Sequence, residues 1–381
     1  MAILTFGHPM AKVFKLNISI KVRLYTMYSL TFLVVGMLNS CENHQNKIEL
    51  VWKNKRATGI QIPKHLLKDF SITEPNSSLK IVLLKATNQG ILGNFVSANT
   101  SLIFEPLIPL TPGLTYHILQ NNAPIGEITV PFDESEQAPA LISIYPETDT
   151  LPENTLKFYF RFSKPMRTGQ SLQFICLLDK NKDTLRNIFL NLQPELWDSS
   201  TTVYTLWLDP GRIKRGLVLN KELGNPLKTK ERYQLVVSQQ WRDNRGLKLA
   251  KQYTKEFLVG EWDNKVPDIS QWQLNLPKAG VSTPLIINTY QPLDHYLLQE
   301  SISIIDKNGM PVKGSISISA KDKLWYFSPS ESWKAENYRL RVNALLEDLA
   351  GNNLNRVFDR DITKEKKKNN AYYELAFDLK P

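Results

Sequence analysis

Residues 347–354, EDLAGNNL, bring a carboxylate, a glycine and two asparagines together in the manner of a cation-binding loop. A calcium loop of the EF-hand type needs oxygen ligands at alternate positions, a glycine at the sixth position and a bidentate glutamate at the twelfth. Counted from Asp348, Gly351 falls at the fourth position and no glutamate stands at the twelfth. The spacing therefore argues against a calcium site of that kind.

A structural interpretation suits this stretch better. An aspartate carboxylate accepts hydrogen bonds from the N–H groups of its own turn, and a glycine supplies a positive φ that other residues resist. WRDNRGLKL, earlier in the chain, repeats the pattern of an aspartate followed by a glycine three residues later. We therefore predict structural turns and no metal site. The predicted turn residues are Asp243, Gly246, Asp348, Gly351 and Asn352.

The other reactive side chains form no catalytic set in the sequence. The histidines after residue 41 are scattered singly, without the spacing of a zinc site. There is no G-x-S-x-G elbow and no phosphate-binding glycine loop, and Cys176 lies in the apolar stretch LQFICLL. The sequence does not exclude a pair of carboxylates for glycoside hydrolysis, because the two residues of such a pair can be far apart in the chain and meet only in the folded protein. The sequence therefore predicts no catalytic residue, no cofactor and a protein that is not an enzyme.

Two groups of residues are candidates for binding. Arg212, Lys214 and Arg215 lie in the turn-rich stretch DPGRIKRGL, where they either contact a partner or polyanion or are simply solvated. The tryptophans are the second group, because an indole ring stacks on sugars but is also a frequent core residue of β-sandwiches. They are Trp52, Trp197, Trp207, Trp241, Trp262, Trp272, Trp325 and Trp333.

The formal charge of +10 raises nucleic-acid binding as a function class. Residues 1–40 hold four of the 47 basic residues and no acid, so 43 basic and 37 acidic side chains remain in the rest of the chain. The run KEKKK at 364–368 supplies part of that excess, and no basic stripe interleaved with aromatic residues accompanies it. We therefore predict no nucleic-acid partner and interpret the run as a solvated segment.

Short alternating segments are the elements that must position these residues. KIELVWKN, LKFYFRFS, RYQLVVSQQW and SISIIDKNG alternate apolar and polar positions, as strands with one buried face do. Many such segments without long helical patterns between them predict an all-β fold of antiparallel sandwiches. A pattern of strand, proline-bearing turn and tyrosine occurs three times, at Tyr116, Tyr233 and Tyr338, and predicts three domains.

The amino terminus has the composition of an export signal. A basic region ends at Arg23, and the apolar run that follows is short for a bilayer span. The end of that run, Leu38, Asn39, Ser40 and Cys41, resembles the lipobox of bacterial lipoproteins. The resemblance implies that Cys41 becomes the first mature residue and carries acyl chains embedded in membrane lipid. A plain signal peptide with an incidental cysteine is the alternative.

Three features resemble the bacterial Ig-like domains of S-layer proteins, the SbsA Ig-like family: LPENTLKFYFRFSKPM at 151–166, the proline-turn-tyrosine segments, and DLAGN at 348–352. The resemblance implies tandem Ig-like antiparallel β-sandwich domains, and it is specific for a fold and not for an activity. The predicted organisation is a lipoprotein signal peptide at 1–40, a tether at 41–47, a divergent Ig-like sandwich at 48–135, an SbsA-type Ig-like domain at 138–262, and another at 266–381 with a basic C-terminal segment.

Together these features predict a lipid-anchored protein of the bacterial cell envelope with a non-catalytic structural, adhesion or ligand-presentation role. The expected location is the outer membrane, on its periplasmic or surface face. The expected partners are membrane lipid, through the acylated Cys41, and envelope proteins or glycans. The alternative is a carbohydrate-binding or carbohydrate-processing accessory protein, in which a cleft between domains would hold exposed tryptophans and a carboxylate pair.

Overall fold

The computed structural model describes residues 47–68, 78–83, 90–132, 137–360 and 370–380. The chain divides into two compact units, Met1–Val130 and Pro131–Pro381. The predicted lipobox, the predicted acylation site Cys41 and the basic run at 364–368 lie outside the described residues. Within the described ranges, no helix has the length and apolar character needed to cross a membrane.

The first unit is a sandwich of two antiparallel sheets. Its described strands are β1 (Glu49–Lys53), β2 (Arg56–Pro63), β3 (Leu79–Leu83), β4 (Gly93–Ser97), β5 (Ser101–Pro106), β6 (Thr115–Gln120) and β7 (Ala123–Thr129). The strand orders are β1-β2-β5-β4 and β3-β6-β7. Ile60 and Phe104 from one sheet share a buried core with Tyr116 and Ile118 from the other. Inward residues of both sheets therefore meet face to face.

The second unit begins with another sandwich. Its strands are β8 (Leu141–Tyr145), β9 (Thr150–Pro152), β10 (Lys157–Phe162), β11 (Ile175–Leu178), β12 (Leu196–Trp197), β13 (Val203–Trp207), β14 (Arg232–Val237) and β15 (Tyr253–Gly260). The strand orders are β12-β13-β10-β8 and β11-β14-β15-β9, and the short β9 pairs in parallel with β15. Phe158 and Leu206 of the first sheet pack with Leu235 and Phe257 of the second around the fully buried Trp241.

A further sandwich completes the second unit. Its described strands are β16 (Gln273–Asn275), β17 (Leu285–Asn288), β18 (Ile302–Ile305), β19 (Gly314–Ser319), β20 (Leu324–Pro329), β21 (Asn337–Asn343) and β22 (Tyr372–Asp378). The strand orders are β16-β17-β20-β19 and β18-β21-β22. Its core joins Ile287 and Phe327 to Leu340 and Phe377 around Trp325.

Helices are short in the described part of the chain. The α-helices are α1 (Pro210–Ile213), α2 (Val218–Leu223) and α3 (His295–Glu300), and the 3₁₀ helices are Lys64–Leu66, Ser171–Phe174 and Ile269–Gln271. Aspartates start two of the α-helices, because Asp209 Oδ1 accepts from Gly211 N at 2.8 Å and Asp294 Oδ1 accepts from Leu297 N at 3.1 Å.

The tyrosines of the repeated pattern hold the turns that precede them. Each is the second residue of its strand, and each buries its ring while its hydroxyl accepts a hydrogen bond from a backbone N–H four or five residues upstream. The bonds are Thr111 N to Tyr116 at 2.8 Å, Lys228 N to Tyr233 at 3.1 Å and Lys334 N to Tyr338 at 3.1 Å. This tyrosine corner is a recurring feature of Ig-type sandwiches.

The predicted fold class is confirmed: the described chain forms tandem Ig-like antiparallel β-sandwiches, with a separate buried core in each. The alternation of apolar and polar residues explains why. In β6, TYHILQ places Tyr116 and Ile118 inward and His117 between them at the surface side, so one face of the strand is apolar. The predicted domain boundaries stay a prediction, since the second unit contains two of the sandwiches.

Candidate functional site

The two sandwiches of the second unit meet along a buried contact, which we call the joint. At its centre Lys157, from β10, lies 2.7 Å from Asp294 Oδ2 and 2.8 Å from Glu347 Oε2. Both carboxylates belong to the other sandwich, one at the start of α3 and one after β21. Burial opposes the ammonium charge, but the two carboxylates outweigh it and raise the pKa of Lys157. The lysine therefore stays charged between the sandwiches.

Aromatic rings enclose this ion pair. Tyr159, also from β10, donates its hydroxyl to Asp294 Oδ2 at 2.7 Å, and burial raises its pKa well above the usual range. The Lys157 ammonium lies 5.3 Å from the Trp207 ring centroid, within cation–π range. Water is largely excluded from the cluster, because Lys157, Tyr159 and Asp294 are each at least nine-tenths buried.

A histidine contact extends the joint. The His295 ring stacks on Tyr145 of β8, in the other sandwich of the second unit, with ring centroids 3.6 Å apart. Its Nδ1 lies 2.7 Å from Oδ1 of the buried Asp322. The other oxygen of Asp322 accepts a 3.4 Å hydrogen bond from Glu147 N across the joint. Asp322 thus orients the imidazole and reaches the neighbouring sandwich.

At the other end of the joint, two asparagines bind the segment that connects the sandwiches. Asn154 Nδ2 donates to the Asp263 carbonyl oxygen at 2.7 Å, and Asn352 Nδ2 donates to the same oxygen at 3.2 Å. Asp263 N returns a bond to Asn154 Oδ1 at 2.9 Å. Apolar packing continues the contact, because the Leu349 side chain lies in the core of the sandwich formed by β8–β15. The Leu349 carbonyl oxygen also accepts a hydrogen bond from Leu156 N at 3.0 Å.

The EDLAGNNL stretch lies within this end of the joint. Asp348 Oδ1 accepts from Ala350 N and Asn352 N, each at 2.9 Å, and Asn352 Nδ2 donates to Asp348 Oδ2 at 2.8 Å. Gly351 has φ +78°, and a Cβ there would lie 2.5 Å from Leu156 Cδ2. Burial, aided by the charge of Asp263, raises the pKa of Asp348 to about 7.

The other aspartate turns share this geometry. Asp179, Asp243 and Asp306 each accept from the backbone N–H groups two and four residues later, as Asp348 does. The residue three positions after each aspartate has positive φ, and it is Lys182 in the first case and a glycine in the others. These turns use the carboxylate to fold the backbone, and no group of three or more His, Cys, Asp or Glu side chains in the described ranges is arranged to hold a metal.

A cleft opens beside the asparagine end of the joint. It has a volume of about 440 Å³, and its lining includes Trp262, Asp263, Gln291 and Asp348. The Trp262 ring is half-buried, with the Arg215 guanidinium 4.8 Å from its centroid. The cleft therefore combines an aromatic face with amide and carboxylate groups, and its position lies between the two sandwiches.

The three predicted basic residues have different surroundings. Arg212 is buried and donates to the carbonyl oxygens of Leu223 and Gly224 at 3.0 and 3.1 Å. The Lys214 ammonium lies 4.3 Å from the Phe358 ring centroid. Arg215 Nε lies 2.7 Å from Asp359 Oδ2, although its side chain is 60% exposed. The structure thus brings Lys214 and Arg215 together at the rim of the joint and uses Arg212 inside the fold.

The tryptophans divide between core and surface. Trp241, Trp272, Trp325 and Trp333 are buried. Trp197, Trp207 and Trp262 are half-buried, and Trp52 of the first unit is 47% exposed. Cys176 is half-buried in β11, and burial raises the pKa of its thiol. Two tryptophans of the second unit line clefts, and of these Trp333 is buried whereas Trp262 is half-buried.

Sequence reasoning missed the central residues of the joint, Lys157, Asp294 and Glu347. The sequence hid them, because LKFYFRFS alternates like a strand with one solvent face, whereas in the structure five of the six residues of β10 are buried. A lysine within a strand covered on both faces requires a buried counter-charge. The identity of its partners was not readable, because they are far away in sequence.

Comparisons with known proteins find solved structures of low similarity only. No family model matches the chain, and no curated protein matches it. Domains 1–6 of surface layer protein SbsC match at 14% identity and TM-score 0.24 over 55% of this chain and 24% of that structure. The Ig1-2 module of the Drosophila receptor protein tyrosine phosphatase DLAR matches at 13% and 0.19 over 54% and 91%. Titin fragment I67–I69 matches at 9% and 0.18 over 79% and 87%.

The matched region therefore spans about a quarter of the SbsC structure. The class of protein is defined by this chain's own strand orders, cores and tyrosine corners, which are those of tandem Ig-like β-sandwiches.

Proposed function

We propose that this chain is a lipid-anchored protein of the bacterial cell envelope whose tandem Ig-like sandwiches act as a non-catalytic scaffold for adhesion or ligand presentation, with the two sandwiches of the second unit held stiffly together. The joint carries this proposal. Its lysine, two carboxylates and two asparagines fix one sandwich against the other. A scaffold needs such a contact, because freely hinged domains cannot hold a binding surface at a defined distance.

The energetics of the joint support stiffness. Opening the joint would expose the buried rings of Tyr145 and Tyr159 to water, and it would break the contacts of Lys157 with both carboxylates, whose charges would regain hydration. It would also break the hydrogen bond from Asn352 to the Asp263 carbonyl oxygen, at about 0.5–1.5 kcal/mol for a typical intramolecular bond. A bend at the joint is therefore rare at equilibrium.

Stiffness is tested by small-angle X-ray scattering and by distances between spin labels placed on the two sandwiches of the second unit. The full chain beginning at Glu42 should show one narrow distance distribution. A Lys157→Met and Asn352→Ala double variant should broaden it, while Lys278→Met, at an exposed lysine, should not. A broad distribution in the unsubstituted protein contradicts a scaffold role.

Lipid anchoring is tested in cells of a bacterium that processes lipoproteins. The sequence from Leu38 to Cys41 supports it. The unsubstituted protein should incorporate labelled palmitate and enter the detergent phase on phase separation. Cys41→Ala should abolish both, and Cys176→Ala should change neither. Protease treatment of intact cells then distinguishes the surface face from the periplasmic face. Labelling that survives in Cys41→Ala contradicts the assignment.

A second candidate function is carbohydrate binding in the cleft beside the joint. Trp262 supplies an aromatic face there, and Asp263, Gln291 and Asp348 supply hydrogen-bonding groups. A glycan array with the chain beginning at Glu42 tests it. Binding that Trp262→Phe preserves and Trp262→Ala removes, with Trp52→Ala unchanged, supports this function. An array without signal leaves the scaffold proposal in place and removes this one.

A further inference from the structure

The segment between Lys214 and Gly224 exposes an unusual amount of aliphatic surface, and we call it the apolar loop. Leu217 is 46% exposed, Val218 67%, Leu219 40% and Leu223 53%. Isolated apolar side chains are common on protein surfaces, but four exposed within seven residues concentrate apolar surface in one segment, and concentrated apolar surface marks interaction sites. The loop includes α2, which carries three of the four.

Both ends of the loop are exposed. Gly216 and Gly224 lie at its two ends with φ of +85° and +66°, and a Cβ built on either would meet nothing within 4 Å. Open space therefore surrounds both ends. None of the clefts whose linings include Trp333, Lys255 or Trp262 is lined by a residue of the loop.

Buried polar groups hold the loop in this position. Arg212 donates from its guanidinium to the carbonyl oxygens of Leu223 and Gly224 at one side and to that of Asn187, at 3.3 Å, on the other. Asn220 Nδ2 donates to Asn225 Oδ1 at 2.8 Å and so closes the loop on itself. A buried arginine bonded to carbonyl oxygens fixes the geometry, so the exposed aliphatic residues belong to an ordered segment.

Positive charge surrounds the loop along the sequence. Residues 214–231 contain two acids, Glu222 and Glu231, and the cations Lys214, Arg215, Lys221, Lys228 and Lys230, of which Arg215 is paired with Asp359. Aliphatic side chains flanked by lysine and arginine are the pattern of segments that lie in the interface of an anionic bilayer. Protein hot spots, by contrast, favour tryptophan, tyrosine and arginine, and leucine and valine are under-represented there. The charge and the residue types both favour lipid as the occupant.

We propose that the apolar loop inserts Leu217, Val218 and Leu223 into the surface of a bilayer that contains anionic phospholipid, with the neighbouring cations on the headgroups. The loop would then be a second membrane contact besides the acyl chains of Cys41. This proposal rests on the proposed location in the cell envelope. Its physical basis does not require acylation, because the aliphatic and basic residues are all in the folded chain.

The experiment uses the chain beginning at Glu42, which keeps every described element and lacks Cys41. Flotation with vesicles of phosphatidylglycerol and phosphatidylcholine should bring the protein to the lipid fraction, and phosphatidylcholine alone should bind it at least tenfold less. A Val218→Asp and Leu223→Asp double variant should lose binding at least tenfold. Both sites are exposed, so its melting temperature should equal that of the unsubstituted protein. The matched control is Met310→Asp and Leu345→Asp, at residues 62% exposed elsewhere in the same unit, and it should bind normally.

Three outcomes overturn the proposal. One is an unsubstituted protein that stays with the soluble fraction at every phosphatidylglycerol content. Another is equal binding by the unsubstituted protein and the Val218→Asp, Leu223→Asp variant. The third is a concentration-dependent dimer in sedimentation that this variant disperses without any vesicle binding, which assigns the loop to contact between copies. Because Cys41 is absent throughout, none of these results depends on whether the cysteine is acylated.

Discussion

Asn154 and Asn352, from two different sandwiches, donate their side-chain amides to the same backbone carbonyl, that of Asp263. The connecting segment is therefore bound from both sides at one atom. Asn352 also donates to Asp348 and accepts from Phe358 N at 2.9 Å, so one amide links a turn, a linker and the following segment. Asn352 thus makes contacts that reach beyond its own turn.

This shared acceptor predicts energetic coupling between the two asparagines. We expect Asn352→Ala to lower the free energy of unfolding by about 1–3 kcal/mol, because a buried carbonyl and a buried carboxylate lose a donor. In a double-mutant cycle with Asn154→Ala, the coupling should be about 0.5–3 kcal/mol. Urea denaturation of the chain beginning at Glu42 measures both. Asn308→Ala, at an exposed turn, is the control, and strictly additive effects at Asn154 and Asn352 contradict the shared contact.

The ion pair at the joint predicts a strong effect of removing its cation. Lys157→Met should destabilise the second unit by about 3–5 kcal/mol, because the buried Asp294 and the half-buried Glu347 would lose their counter-charge. Since the pKa of Lys157 is raised in the folded state, the stabilisation from this pair is complete below the lysine's ordinary pKa. It is lost only as pH rises through the higher folded value. Chemical denaturation at pH 7 and pH 10, with Lys278→Met alongside, checks both statements, and an effect no larger than that of the control refutes them.

The buried Asp348 predicts that stability also depends on pH in the acidic to neutral range. Its folded pKa of about 7 lies above the ordinary value near 3.8, so the folded protein holds a proton that the unfolded chain has released between those values. Stability from this group is complete below about pH 4 and declines as pH rises to about 7, by up to about 4 kcal/mol.

Denaturation at several pH values between 4 and 8 tests this dependence on Asp348. Asp348→Asn should flatten the decline, since the amide does not titrate. Asp306→Asn changes the equivalent turn at a less buried position and should leave the decline intact. Parallel pH profiles for the unsubstituted protein and Asp348→Asn would show that another group titrates in this range.

The tyrosine corners predict modest and local losses. Tyr338→Phe keeps the buried ring and removes the acceptor for Lys334 N, so we expect a loss of about 1 kcal/mol in the stability of the second unit. Tyr372→Phe, at a side chain 49% exposed, should change stability by less than about 0.5 kcal/mol. Thermal denaturation followed by circular dichroism compares the two. Equal effects would mean that the corner hydrogen bond contributes nothing measurable.

The hydrogen bonds that Arg212 donates to the apolar loop predict that the loop becomes less ordered when this residue is replaced. Arg212→Lys removes the planar fork that reaches the carbonyls of Leu223 and Gly224 together, and a single ammonium cannot replace it. Amide hydrogen exchange in residues 217–225 should accelerate at least tenfold, with exchange in β14 unchanged. Arg232→Lys, at an exposed position, is the matched control. Unchanged exchange in the loop would show that other contacts hold it.

Local residue types determined much of what this sequence predicts. Alternating apolar positions defined the strands, because one buried face suffices to select an extended conformation in a sandwich. The recurrence of Tyr116, Tyr233 and Tyr338 also stood out in the linear sequence, because each tyrosine acts on a turn within five residues of itself. These features need no knowledge of distant partners.

Only the tertiary structure decided the joint. Lys157, Asp294 and Glu347 come from segments far apart in the chain, and a charge can be assigned a buried partner only after the strands have been packed. The same holds for Arg212 and Lys214, which look alike in DPGRIKRGL but have different environments, one buried against backbone carbonyls and one near an aromatic ring. The sequence determines which side chains are available. Their burial and pairing follow from the packing of complete sandwiches, because that packing joins residues that are close in space and remote along the chain.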